Sequence, residues 1–136
     1  MNFNLLTRWQ PQLLALLRIV TALVFMEHGT AKLFHFPVPQ PGAPDHLPAM
    51  LLAAALIEVI CGVLITIGLF TRLAAFIAAG EMAVAYFMAH FPKSFWPLVN
   101  MGGEAILLCF VFLYLAAAGA GAWSIDTARM RNAPIR

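Results

Sequence analysis

Charge is what this sequence has least of. Only 10% of its 136 residues are Asp, Glu, Lys or Arg, against about a quarter in soluble domains. Hydrophobic residues make up 62%, and the mean hydropathy is +0.87. Such a chain is excluded as a soluble globular domain or a disordered segment. A formal net charge of +2 supplies no basic surface for nucleic acid. Cysteine is also scarce. Cys61 and Cys109 stand alone with no Cys-x-x-Cys, so a thiol-exchange site lacks its usual signature and both read as small buried hydrophobes. The sequence has no glycine-rich phosphate loop, no dinucleotide fingerprint, no Cys/His zinc spacing and no nucleophile elbow. No intrinsic cofactor and no metal site are therefore expected. The length suits one domain, residues 1–136.

What is present is long apolar runs. A membrane helix needs about 20 mostly apolar residues, and four such runs are legible, at residues 13–34, 48–70, 72–90 and 97–119. They lack strand alternation, and an open sheet cannot satisfy its backbone in lipid. The predicted fold is all-α, an integral membrane four-helix bundle in contact with the bilayer. The breaks are chemical. Residues 35–44 carry four prolines that cannot continue a helix, and Pro48 suits the first turn of the next one. Phe70-Thr71-Arg72 is a tight connection, and Phe91 to Pro97 is a break with aromatics suited to the membrane interface. Arg8, Arg72, Arg129, Arg131 and Arg136 fall on one side, and Lys32 and Lys93 on the other. The positive-inside rule then places both termini in the cytoplasm of a bacterial-type inner membrane. The first apolar run is interrupted by Arg18, Glu27 and Lys32, so it does not read as a cleavable signal.

The few charges inside the spans carry the information. Arg18, Glu27, Glu58, Glu81 and Glu104 each cost about 2.5–3.5 kcal/mol at a helix centre if left alone. They are expected to face the bundle interior and pair, or to shed their charge. At 1.5 Å and 100° per residue, two polar clusters result. The deeper holds Arg18, Glu58 and Glu81 as a buried network. The outer holds Glu27, His28 and Glu104, with Lys32 or His90 at its mouth, and offers acid, base and cation at one depth. Competing readings stay open: a static network that fixes helix packing, an Arg18 that snorkels to the headgroups, and a Lys32 that serves as an interface anchor. His35 and His46 read as loop residues.

Several pieces, taken in order, resemble a known family. They are Leu17-Arg18-Ile19, His28-Gly29-Thr30-Ala31-Lys32-Leu33-Phe34, Glu58 with Gly62, Gly68-Leu69-Phe70-Thr71-Arg72, Gly102-Gly103-Glu104-Ala105, and Gly119 to Asp126. The chain resembles the DoxX family of small four-helix membrane proteins. The resemblance implies kinship with the membrane subunit of thiosulfate:quinone oxidoreductase and an association with redox enzymes or quinones. By carry-over it singles out Arg18, His28, Lys32, Glu58 and Glu104. The expected function is a redox-associated membrane component that binds a quinone or similar lipophilic ligand through Glu27, His28, Lys32 and Glu104. If it is an enzyme, it would be a subunit of a quinone-linked oxidoreductase. The alternative is a non-enzymatic partner or assembly factor for another membrane or redox protein, and a homo-oligomer fits either reading. A third reading, a small transporter or proton pathway, would need an oligomer.

Overall fold

The structure is a computed structural model that describes residues 4–40, 42, 44 and 46–132. Pro41, Ala43 and Arg136, used above in the loop and orientation readings, lie outside the described residues. Every regular element among the described residues is helical. A short α1 (Asn4–Thr7) precedes α2 (Gln10–Phe34), which has Pro11 in its first turn and stops where His35 turns left-handed (φ 55°) ahead of Pro37. α3 (Ala49–Ile67) starts directly after Pro48 and stops at Gly68, whose φ of 70° suits glycine. A Cβ at Gly68 would also strike Ser124 and the Arg18 guanidinium. α4 (Thr71–Ala85) runs on through a π-helical turn, Tyr86–His90, and a 3₁₀ turn, Phe91–Lys93.

The fourth run departs from the expected continuous helix over 97–119. It is broken into α5 (Pro97–Asn100) and α6 (Gly103–Ala118), with Met101 at φ 60° between them. The cause is Asn100, which is wholly buried. Its Nδ2 donates to the Ser94 carbonyl at 2.8 Å and its Oδ1 accepts from the Gly102 N–H at 2.7 Å. An asparagine side chain that bonds nearby backbone offers the chain an alternative to the helical ladder. The tail forms α7 (Ile125–Arg131), capped by the Ser124 hydroxyl on the Thr127 N–H at 3.2 Å.

Three helices are long and apolar enough to cross a membrane: Gln10–Phe34, Ala49–Ile67 and the composite Thr71–Lys93. The sixteen residues of α6 span about 24 Å, less than the roughly 30 Å of a hydrocarbon core. α2 packs along α3, α3 on α4 and α4 on α6. α2 and α3 approach closely at Gly29, where a Cβ would meet the Ala55 carbonyl at 2.8 Å, and at Gly62, where it would meet Met26 Cβ at 2.8 Å. Small residues allow this backbone proximity in lipid. Ala74, Ala75, Ala78 and Ala79 do the same for α4, and Phe25 meets Phe112 edge-on at 4.8 Å to close α2 onto α6. The outward faces are apolar, with Val20, Ile60, Phe76 and Phe110 among the exposed side chains.

Candidate functional site

The four helices leave a cavity of about 590 Å³ toward the end that carries the proline-rich connection. His28 and Lys32 line it from α2, Glu58 from α3, Glu81 from α4, His90 from the π turn and Glu104 from α6; most of the remaining wall is aliphatic or methionine. Lys32 Nζ donates to both Glu58 carboxylate oxygens, at 2.6 and 2.7 Å. The side chains of this pair are 9% and 2% exposed, so Lys32 is no headgroup anchor. The contact follows from side-chain lean. A helical side chain covers the turn on the N-terminal side of its own Cα. α2 and α3 run antiparallel, so Lys32 leans inward from one end and Glu58 leans outward to meet it. They meet one turn from Gly29, where the backbones are closest.

Glu81 faces the same cavity, and its Oε2 is buried with no hydrogen-bond partner. His28 Nδ1 lies 3.0 Å from the Val24 carbonyl. A carbonyl only accepts, so Nδ1 donates to it and Nε2 is the nitrogen left for other partners. That nitrogen is 3.7 Å from Glu104 Oε1, and both side chains are about half exposed. His90 is turned onto the Asn100 carbonyl at 3.0 Å. Glu27 is exposed and lies outside this cavity, but it borders a second, shallower groove together with His28 and Glu104, its expected partners, against Pro37, Val38 and Pro39.

The expected deep grouping of Arg18 with Glu58 and Glu81 does not form. Arg18 is wholly buried at the other end of the bundle. Nη1 donates to the carbonyls of Ile65 and Thr66 at 2.6 and 2.7 Å, and Nη2 to those of Ala122 and Trp123 at 3.3 and 2.8 Å. A helix C-terminus presents unpaired carbonyls and partial negative charge. The guanidinium therefore finds its partner there without a carboxylate. Arg72 does the same at the end of α6, donating to the Ala116 and Ala117 carbonyls. The structure thus gathers Lys32, Glu58, Glu81, His28 and Glu104 around one cavity and sets Arg18 apart from it. No group of three or more His, Cys, Asp or Glu side chains suited to a metal occurs among the described residues.

Asp126 completes the Arg18 end. Its carboxylate accepts from the Phe70 and Thr71 N–H groups at 3.0 and 2.9 Å, at the start of α4. Its own N–H donates to the Gly68 carbonyl at 2.8 Å. Burial alone would raise the Asp126 carboxyl; the Thr71 and Phe70 hydrogen bonds and the Arg129 charge outweigh it and hold the carboxyl below its ordinary value. A depressed folded-state pKa contributes stability that is whole above the unfolded value of about 3.9 and lost as pH falls through the lower folded value. Amide exchange, corrected for intrinsic rates, should show Phe70, Thr71 and α7 protected at neutral pH and released only in that acid window. Asp126→Asn should weaken the protection at neutral pH.

These two polar ends, with the close-packed glycines between them, carry the pieces of sequence quoted for the family resemblance. The DoxX family model matches residues 13–91, more than half of the chain. The chain belongs to the DoxX family. An uncharacterized protein of Haemophilus influenzae is 44% identical over 127 residues, covering 90% of this chain and 95% of that protein. An uncharacterized membrane protein of Mycobacterium tuberculosis is 25% identical over 131 residues, covering 85% of this chain and 80% of that one. No solved structure matches. This DoxX-family chain is accordingly a membrane protein whose apolar helices contact the bilayer. Within the DoxX pieces, Arg18, Gly68 and Asp126 hold the helix ends together, whereas His28, Lys32, Glu58 and Glu104 surround the cavity. Sequence reasoning missed Asn100, Asp126 and Ser124 as structural residues. Ser124 and Asp126 offered one signal, a helix-capping residue beside a seven-residue helix.

Proposed function

We propose that this protein binds a quinone or a similar lipophilic ligand in the cavity beside Lys32 and Glu81. It would act as a redox-associated component of a bacterial inner membrane, with four spans and both termini cytoplasmic. The observation that carries the reading is the buried, unpartnered Glu81 Oε2 facing an aliphatic cavity. A buried acceptor without a donor costs about 1–3 kcal/mol, and a ligand hydroxyl would recover it. The cavity volume lies within the roughly 300–1,000 Å³ of small-molecule sites.

The polar groups suit both oxidation states of a quinone head. An ammonium has three N–H donors, and Glu58 can take two from Lys32, leaving one for a ligand carbonyl. Glu81 can accept from a quinol hydroxyl, as can Nε2 of His28 in the neutral imidazole. These groups handle hydrogen bonds and protons, so electrons would pass to a partner protein. Arg8, Arg72, Arg129 and Arg131 gather at the Arg18 end, which supports the cytoplasmic placement of that end. A decyl-substituted benzoquinone titrated into purified protein should bind saturably. His28→Leu and Glu81→Leu should each weaken it about tenfold, the value of one hydrogen bond. No saturable binding by the wild type would sink the quinone reading; wild-type affinity in both variants would place the ligand elsewhere.

A further inference from the structure

The cavity has a side opening. α3 and α4 are joined by only three residues, Gly68 to Phe70, and are held close at that end by buried Cys61, Ile65, Ala74 and Ala78. Farther along they part, and the cavity lies between them. Met50 on α3, Ile77 and Val84 on α4 and Met88 on the π turn line it and are 41–55% exposed. Wall residues that keep this much exposure mark where the cavity opens. Ala53 on α3 and Gly80 on α4 also line it, both exposed and with almost no side chain to fill the slot between the two helices. A Cβ added at Gly80 would meet nothing within 4 Å.

The height of the slot decides what can enter. Gly80 lies nine residues beyond Thr71 and Ala53 fourteen before Ile67, about 14 and 21 Å from that end, so the slot runs from the middle into the outer half of a roughly 30 Å hydrocarbon layer. Exposed Leu56, Ile60, Leu73 and Phe76 flank it, so it opens onto acyl chains. Glu81 sits next to Gly80 on the inner side.

We infer that ligands reach Glu81 sideways from the bilayer interior, through the slot between α3 and α4 at Ala53 and Gly80. The inference rests on the ligand-cavity reading and narrows its occupant to an amphiphile dissolved in the membrane, with an apolar body and one hydrogen-bonding head. Its apolar body would trail through the slot into lipid, while the head meets Glu81 and the Lys32–Glu58 pair. The methionines at the slot, unbranched and adaptable, suit a flexible apolar chain.

The test uses protein reconstituted in liposomes and an iodophenyl diazirine, a small lipophilic carbene photolabel, read by peptide mass spectrometry. Glu81 should be labelled along with outward Phe76, while wholly buried Phe112 sets the background. Gly80→Trp and Ala53→Trp, two plugs from opposite walls, should each reduce Glu81 labelling to that background and leave Phe76 unchanged. Background labelling of Glu81 in the wild type, or undiminished labelling in monodisperse samples of both plugged variants, overturns the slot. Excess decyl-benzoquinone separates the two claims. Protection of Glu81 supports both, and blocked labelling in the plugged variants without quinone protection leaves the slot standing and removes the quinone.

Discussion

Lys32→Met is expected to destabilise the protein by about 3–5 kcal/mol, because it strands the Glu58 carboxylate in the bundle interior. Lys32 reaches both Glu58 oxygens within 2.7 Å, and the carboxylate has almost no exposure. Methionine keeps most of the lysine stem, so packing is largely preserved and the loss reports the charge. The second half of the expectation gives the test its edge. In Lys32→Met with Glu58→Leu no charge is left to bury, and replacing a buried pair by apolar residues is often neutral or stabilising by about 1–4 kcal/mol. The double variant should therefore recover most of the single loss. Unfolding titrated with denaturing detergent measures all three proteins. A single-variant loss below about 1 kcal/mol would match an exposed pair, and would mean that water reaches Glu58.

The double variant also separates folding from binding. If the pair serves only to fix α2 against α3, a folded protein without it should still take up the benzoquinone. If Lys32 supplies the donor for a ligand carbonyl, binding should fall although stability has returned. Sequence periodicity alone could not pose this question, because it had assigned Lys32 and Glu58 to different clusters.

That assignment shows where legibility ended. The helical character, three of the four expected spans and the breaks near Pro37, Phe70 and Pro92 follow from hydropathy and local chain chemistry within a few residues of each site. These are local properties. Placing charges by rise and angle assumed that every helix shares one midplane and that a side chain stays level with its own Cα. α2 is six residues longer than α3, and side chains on antiparallel helices lean in opposite directions. Both facts bring Lys32 down to Glu58. Arg18 was misplaced for another reason. A cation was matched to the nearest acids, yet the C-terminus of α3 and the Ala122–Trp123 carbonyls satisfy it without one. That the tail returns to α3 is a tertiary fact, and so is the interruption at Met101, which depends on Asn100 finding Ser94. His28 and Glu104 did come together, sharing one groove with Glu27, while Glu81 and Glu58, expected deeper with Arg18, face the same cavity as His28 and Glu104.

Arg18→Met should cost at least about 3 kcal/mol, because hydrogen bonds to charged groups are worth about 1.5–3 kcal/mol each and a buried acceptor left bare adds to the loss. Four carbonyls, Ile65, Thr66, Ala122 and Trp123, lose their donor together. Arg18→Lys should fall between wild type and Arg18→Met, since one ammonium cannot reproduce the planar fork that reaches two separate segments. The damage should be local in amide exchange: the last turn of α3 and the start of α7 open, while the cavity end keeps its protection. Arg18 and Lys32 are fourteen residues apart on α2, about 21 Å along its axis. At that separation the losses of Arg18→Met and Lys32→Met should add within about 0.5 kcal/mol. A larger coupling in the double variant would mean that the Arg18 hydrogen bonds and the Lys32–Glu58 pair stabilise one shared arrangement of α3. Disturbing the Arg18 end would then alter ligand binding at Glu81, a consequence the same benzoquinone titration would detect.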